Sequence, residues 1–296
     1  NEVRENLQRE FGNAGRGLIV PLKLAGTNEP PDYAITSPNS WNRSNCITRA
    51  ATEEPGMSGM SIVTYDRHIE LDIKTKEPFD RIWAFHHREA PLLTVPDSLS
   101  DGICCPALDN DEMTLIPLSR PVEQIRLCAS VADSSFAHSA FYGFSLENGR
   151  SGVLYHSFGI NGNTYAAINR NPQIVRQASG LCPDLVIVSL GTNDSYGASF
   201  DPADADVQIT RLIDSIRRNM PASVLLLTTP MEHCRRIRSK GRTYRKPNPN
   251  ACAMRECILR QAALYRLPVW DFYAAAGGDG AMGRWADLGI ANADRV

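Results

Sequence analysis

The chain has 296 residues, 43% of them hydrophobic and 22% charged, and its formal net charge of −2 excludes a generic nucleic-acid binder. No apolar run approaches the roughly 20 residues needed to span a bilayer, so no transmembrane segment is expected. Eight cysteines, at 46, 104, 105, 128, 182, 234, 252 and 257, form neither a Cys-x-x-Cys pair nor a Cys/His cluster at zinc-ligand spacing, which argues against a metal site; their even number permits disulfides.

Residues 1–18 open with an amphipathic helix, because Val3, Leu7 and Phe11 recur at spacings of four on one face. Composition then shifts near residues 27 and 143. Between them Pro, Ser, Asn and Asp are frequent, and apolar residues come in short runs such as Met60 to Tyr65, His68 to Ile73 and Arg81 to Phe85. That pattern predicts an antiparallel β-sandwich. Within it, Ser98 follows Asp97 between two turn-rich stretches and reads as an Asp-Ser turn, not as a nucleophile. His86 and His87 are adjacent on a predicted strand, so their side chains point to opposite faces. His68 and His138 fall in the same segment, where packing or sugar contact is the expected role.

From residue 144 the pattern becomes strand 152–157, helix 164–180, strand 184–190, helix 203–219, strand 223–229, helix 250–266 and strand 268–272. Such alternation predicts a parallel, doubly wound sheet. Leu185 to Leu190 has the length and β-branched content of a strand buried on both faces, and Gly191 allows a sharp turn at its carboxyl end. Ligands bind at that end of open α/β sheets. Asn193 is therefore placed to offer a side-chain N–H to a developing oxyanion, while Asp194 suits capping. Val153 to Thr164 is a second strand-to-turn segment, with Gly159 and Gly162 in the turn; Gly159 and Thr192 read as backbone-shaping. His156, just before the glycine turn, reads as a packed core residue, whereas His233 follows strand 223–229 at the active edge of the sheet and is a disfavoured alternative general base. Arg235 to Lys246 holds seven basic residues in twelve and is read either as a solvated loop or as a seat for an acidic or phosphate-bearing glycan.

The order strand, Gly159-x-x-Gly162-x-Thr164, helix, strand, Gly191-Thr-Asn-Asp194 resembles the SGNH (GDSL-type) hydrolases, in particular bacterial peptidoglycan and polysaccharide O-acetylesterases with an inserted β-domain. The resemblance implies a three-layer, flavodoxin-like α/β fold with a parallel sheet. Residues 1–26 would start the hydrolase domain, 27–143 would be an inserted, carbohydrate-binding-like antiparallel β-sandwich, and 144–296 would complete the hydrolase. It assigns the oxyanion hole to the Gly162 N–H and the Asn193 side chain. Asp294, in Asp294-Arg-Val, resembles the start of the family's Asp-x-x-His block and would orient the general-base histidine, due one residue beyond Val296. The Gly-Asp-Ser nucleophile block would precede Asn1, so a fragment without activity of its own is expected.

Tyr273 and Trp285 lie where related acetylesterases place a Trp-Asp strand and a Gly-Gly loop, and are candidates to stack on sugar faces. The implied reaction is removal of O-acyl groups, acetyl in the first instance, from a carbohydrate, with no metal or organic cofactor and no nucleic acid. The implied location is periplasmic or secreted, with outer-membrane anchoring compatible; the oligomeric state is open. Two other readings stand beside it: a lipid or thioester acylhydrolase, which needs a greasy acyl groove, and a noncatalytic glycan-binding relative.

Overall fold

The structure, a computed structural model, describes residues 2–26, 29–48, 54–101, 105–107, 110–133, 136–239 and 241–291. The chain divides into two compact units, residues 1–160 with 176–180, and residues 161–175 with 181–296. Among the described residues, no helix is long and apolar enough to cross a membrane.

The first unit contains helix α1 (Glu2–Phe11) and strands β1 (Gly17–Ile19), β2 (Tyr33–Thr36), β3 (Asn42–Asn45), β4 (Met60–Thr64), β5 (His68–His86), β6 (Cys105–Ala107), β7 (Asn110–Ser130) and β8 (Ser139–Glu147). They form one antiparallel sheet in the order β3-β4-β8-β5-β7-β6, with β1 added to β8 and β2 to β5. The predicted sandwich of separate sheets is thus replaced by a single curled sheet. Its two long strands bend together where the β5–β7 register shifts between Lys74, Phe79 and Arg81. Pro78 and Pro121 flank the Phe79–Val122 pair there; proline supplies no ladder N–H, so the bend falls where pairing is already weakened. Before the bend, β5 alternates strictly, with Ile69, Leu71, Ile73 and Thr75 buried.

Helix α1 packs against expectation. Val3 and Phe11 are exposed, whereas Arg4 and Gln8 are buried. The reason is a polar anchor: Arg4 pairs with Asp32 at 3.0 Å, Arg16 pairs with the same carboxylate at 2.7 Å, and Gln8 Nε2 donates to the carbonyls of Gly15 and Val153. The predicted strand 152–157 reduces to one parallel bridge, Asn13 with Val153. Here Gly152 passes so close to Gly12 that an added Cβ would lie 2.4 Å from the Gly12 carbonyl carbon. His156 Nδ1 accepts the Leu18 N–H, and burial pulls its pKa down to about 4, so it stays neutral in the core.

The second unit holds α2 (Tyr165–Asn169), β9 (Leu185–Ser189), α4 (Thr192–Tyr196), α5 (Pro202–Asn219), β10 (Val224–Thr228), β11 (Cys234–Ser239), β12 (Arg242–Pro247), α6 (Pro249–Tyr265), β13 (Val269–Trp270), α7 (Phe272–Ala275) and α8 (Ala281–Asp287), while α3 (Gln173–Ala178) is shared between the units. Instead of one helix over 164–180 there are two, because Pro172 supplies no N–H to continue the first. The parallel order is β13-β10-β9, joined through α5 and α6 as parallel strands require. Both long helices start on a side-chain cap followed by proline, Asp201-Pro202 and Asn248-Pro249.

Ile209, Leu212, Ile213 and Ile216 of α5 and Met254, Ile258 and Ala262 of α6 pack with Val188, Leu225 and Leu227 in the unit's core. Among the described residues nothing covers the opposite face of the sheet. Leu185, Ile187, Val224 and Trp270 are 50%, 49%, 56% and 52% exposed. This corrects the reading of 185–190 as buried on both faces; within β9 only Val188 is buried.

Candidate active site

The second unit brings the 161–164 turn and the 190–194 turn together. Gly191 leaves β9 with φ of 113°, and a Cβ there would meet Met254 Cγ at 3.1 Å and Pro230 Cδ at 3.3 Å, so the turn demands glycine on two counts. Helix α4 begins at the next residue and presents Asn193 and Asp194 in its first turn. Asn193 Nδ2 donates to the Asn163 carbonyl at 3.0 Å, and Asp194 Oδ1 accepts the Tyr165 N–H at 2.9 Å. Thr164, the N-cap of α2, accepts the Ala167 N–H at 3.1 Å. Two neighbouring side chains therefore grip the backbone on both sides of Thr164. Gly162, with φ of 84°, precedes the gripped carbonyl by one residue.

This clamp ties the glycine turn to the asparagine turn. Asn193 is exposed, and a carboxamide carries two N–H donors, so one remains for a ligand oxygen after Asn163 is served. Asp194 caps the first amide of α2, one of the donors a helix start leaves unsatisfied. Burial raises its pKa to about 6, and among the described residues Oδ2 has no hydrogen-bond partner. The Tyr165 hydroxyl is likewise buried and unpartnered; burial, with the Asp194 carboxyl second, pushes its pKa up. Gly159 needs no special backbone, since a Cβ there would meet nothing within 4 Å, which removes its backbone-shaping role.

The other candidates fall differently. Asp294 lies outside the described residues. Tyr273 is 6% exposed, with its hydroxyl donating to Asp279 at 2.5 Å, so its ring is packed inside and not offered to a sugar. Trp285 is partly buried and meets Phe272 edge-on at 6.3 Å. Trp270, which belongs to the Trp-Asp strand but was not among the expected sugar contacts, stacks on Phe272 at 4.8 Å and is more open than Phe272 or Trp285. His233 is buried; its Nε2 faces Asn248 Nδ2 at 3.0 Å and its Nδ1 faces the Met231 carbonyl at 3.3 Å. Nε2 must then accept and Nδ1 donate, a neutral structural histidine, and burial lowers its pKa accordingly. Ser98 sits exposed in a 3₁₀ turn.

Ser130, His68 and Glu70 form a chain of contacts at 3.0 and 3.1 Å that imitates a catalytic triad. It is a surface ladder. His68 and Ser130 are paired strand residues, and the Val131 N–H is committed to the Arg67 carbonyl, so the adjacent amide is not free for an oxyanion. In the first unit a cavity of about 510 Å³ is lined by Leu24, Trp41, Asn42, Arg43 and Tyr65. Among the described residues no group of three His, Cys, Asp or Glu side chains gathers to hold a metal.

Comparison with known proteins gives the following. The sequence profile of the GDSL-like Lipase/Acylhydrolase family matches residues 132–290, more than half of the chain. No curated protein matches by sequence. A solved structure described as a peptidoglycan O-acetylesterase in action matches with a TM-score of 0.77 at 18% identity, over 99% of this chain and 79% of that one. At that identity the likeness speaks for the fold alone. A possible lipase from Chitinophaga pinensis DSM 2588 gives a TM-score of 0.32 at 24% identity, over 40% of this chain and 52% of that one. For a family two carbohydrate esterase from Cellvibrio japonicus the TM-score is 0.28 at 10% identity, over 81% and 88%. These two scores are too low to carry weight.

Proposed function

Because the chain belongs to the GDSL-like lipase/acylhydrolase family, we propose that it serves an ester hydrolase that removes O-acetyl groups from a carbohydrate by serine catalysis. The observation that carries this reading is the clamp between the two turns, which sets Asn193 beside the backbone that follows Gly162. In the reaction a serine attacks the acetyl carbon while a histidine takes its proton, and the carbonyl oxygen becomes an oxyanion. The Gly162 N–H and the second Nδ2 hydrogen of Asn193 donate to that oxyanion. Collapse of the tetrahedral species breaks the ester bond as the histidine gives its proton to the departing sugar oxygen, which leaves as the hydroxyl, and water then hydrolyses the acetyl-serine to release acetate. Asp294 orients the histidine.

In this reading residues 1–26 and 144–296 belong to a three-layer hydrolase domain and residues 27–143 to a β-domain inserted into it. Carbohydrate is favoured over lipid by two considerations. The structural neighbour of highest similarity quoted above is described as acting on peptidoglycan. The cavity of the first unit joins two aromatic rings, an amide and a guanidinium, Trp41, Tyr65, Asn42 and Arg43, a lining suited to the faces and hydroxyls of sugars. A wall-directed esterase acts in the periplasm or outside the cell. The test is acetate release from O-acetylated peptidoglycan by the full-length protein, set against hydrolysis of long-chain p-nitrophenyl esters. Preference for the long chains would establish the lipase-type reading in its place; activity on neither would leave the noncatalytic one.

A further inference from the structure

The ribbon of β11 and β12 takes no part in the reaction above, and its charges are set against one another. Arg236 stands opposite Arg245 and Arg235 opposite Lys246 in the ladder. Side chains so paired have Cβ atoms about 5 Å apart, and like charges there destabilise the pairing. Alternation puts Arg236, Arg238 and Arg245 on one face with Thr243, and the apolar residues of that face, Cys234 and Pro247, sit at the stem. Arg236 and Arg238 are exposed, and among the described residues neither forms an ion pair.

A two-stranded hairpin is marginal in water, yet this one is fixed at its stem. His233 and Asn248, each 2% exposed, join the two ends, with the Asn248 N–H donating to the His233 carbonyl at 3.0 Å. Asn248 Nδ2 also donates to the Ser195 carbonyl at 2.8 Å, and the His233 ring stacks on Tyr196 at 6.1 Å. Ser195 and Tyr196 belong to α4, the same short helix that carries Asn193. The self-repelling charge is thus held in place beside the oxyanion donor and does not swing free.

We propose that the 234–247 ribbon binds a polyanionic glycan through Arg236 and Arg238 and thereby selects acidic carbohydrate for the neighbouring site, an inference that rests on the carbohydrate-esterase reading. Guanidinium forks match carboxylates and phosphates in bidentate fashion. Same-face neighbours on a strand are about 7 Å apart, so the pair engages successive anionic groups along a polymer. Between Ser239 and Arg242 the sequence offers no apolar side chain to enter a bilayer. Tyr244 is the ribbon's one aromatic, too few for a base-stacking track.

The test is calorimetric titration of residues 1–296 with polygalacturonate, with phosphomannan and with neutral dextran, at about 50 and about 200 mM salt. It is repeated with Arg236→Gln/Arg238→Gln and with phosphatidylglycerol vesicles. The expected result is binding to at least one acidic polymer and none to dextran, weakened about tenfold by the salt step and about tenfold by the double substitution at unchanged Tm. The carboxylate and phosphate polymers identify which anion is read. Absence of binding, unchanged binding by the double variant, or equal or tighter binding to the vesicles overturns the proposal. Acetate release from O-acetylated peptidoglycan by the full-length protein reports on the esterase reading separately. Activity without polyanion binding sinks the ribbon proposal alone, and polyanion binding without activity supports the ribbon while sinking the esterase reading.

Discussion

In the antiparallel sheet of the first unit, Ile69, Leu71, Ile73, Ile82, Phe85, Phe141 and Phe144 are completely buried, whereas in the parallel sheet of the second unit Leu185, Ile187, Val224 and Trp270 remain about half exposed. The more exposed strands are the richer in apolar residues, four of five in β9 against eight of nineteen in β5, so composition does not decide the outcome. What decides it is whether anything packs on each face. In β5 the strict alternation already encodes one inward and one outward side. The continuous run in β9 encodes no sidedness, and here α5 and α6 cover one side only. The open side also keeps the carboxyl end of β9, and with it Asn193, near solvent.

The contrast is broken most directly in the closed sheet. Phe144→Ala should cost about 3–5 kcal/mol in urea unfolding of the first unit, the range for emptying a packed aromatic site. A cost below about 1 kcal/mol would mean that the sheet is not closed. Next in size is Gly191→Ala, which forces an L residue to φ of 113° against Met254 and Pro230. We expect a loss of about 2 kcal/mol, read from the Tm of the second unit; a neutral result would remove the requirement for glycine at the turn.

Asp194 sharpens the picture through pH. Its folded pKa of about 6 lies above the usual carboxylate value near 4, so the folded protein holds the extra proton within that window. Stability should therefore fall as pH rises from about 4 to about 6, by at most about 1.4 kcal/mol per pH unit, and then level off. Urea midpoints across this range should lose that component in Asp194→Asn. If the difference between the two proteins is flat with pH, the carboxyl is not buried as described. The smallest effect belongs to the open face. Ile187→Ala should cost less than about 1 kcal/mol in thermal melts, because half of the side chain is already in water. A loss of 2 kcal/mol or more would show that the face is covered in solution.

Much of the second unit was legible in the sequence, for identifiable reasons. The strands at 185–189 and 224–228 and the helices at 202–219 and 249–265 fall within a residue or two of expectation, because period, Asp-Pro and Asn-Pro starts and Gly191 all agree. The pairing of Asn193 with the Gly162 turn was implied by the resemblance to the GDSL-type hydrolases and not by periodicity or spacing. Other features were not legible. Residues 152–157 have a strand's composition but spend their pairing on Gln8 and Gly12. The ionic burial of Arg4 depends on Asp32, which no helical period can reveal. In the basic ribbon, seven charges in twelve residues mask any apolar alternation, so a paired hairpin reads as a loop. Tyr273 looked like a sugar platform because sequence does not tell a ring at a sheet end from one beneath it.

The central claim is that Asn193 stabilises an oxyanion. The direct measurement is steady-state acetate release from O-acetylated peptidoglycan by the full-length protein and by Asn193→Ala. The account predicts a fall in kcat of about 10²–10³ with KM little changed, the size of one lost oxyanion donor. An Asn193→Ala protein that keeps its kcat would contradict it.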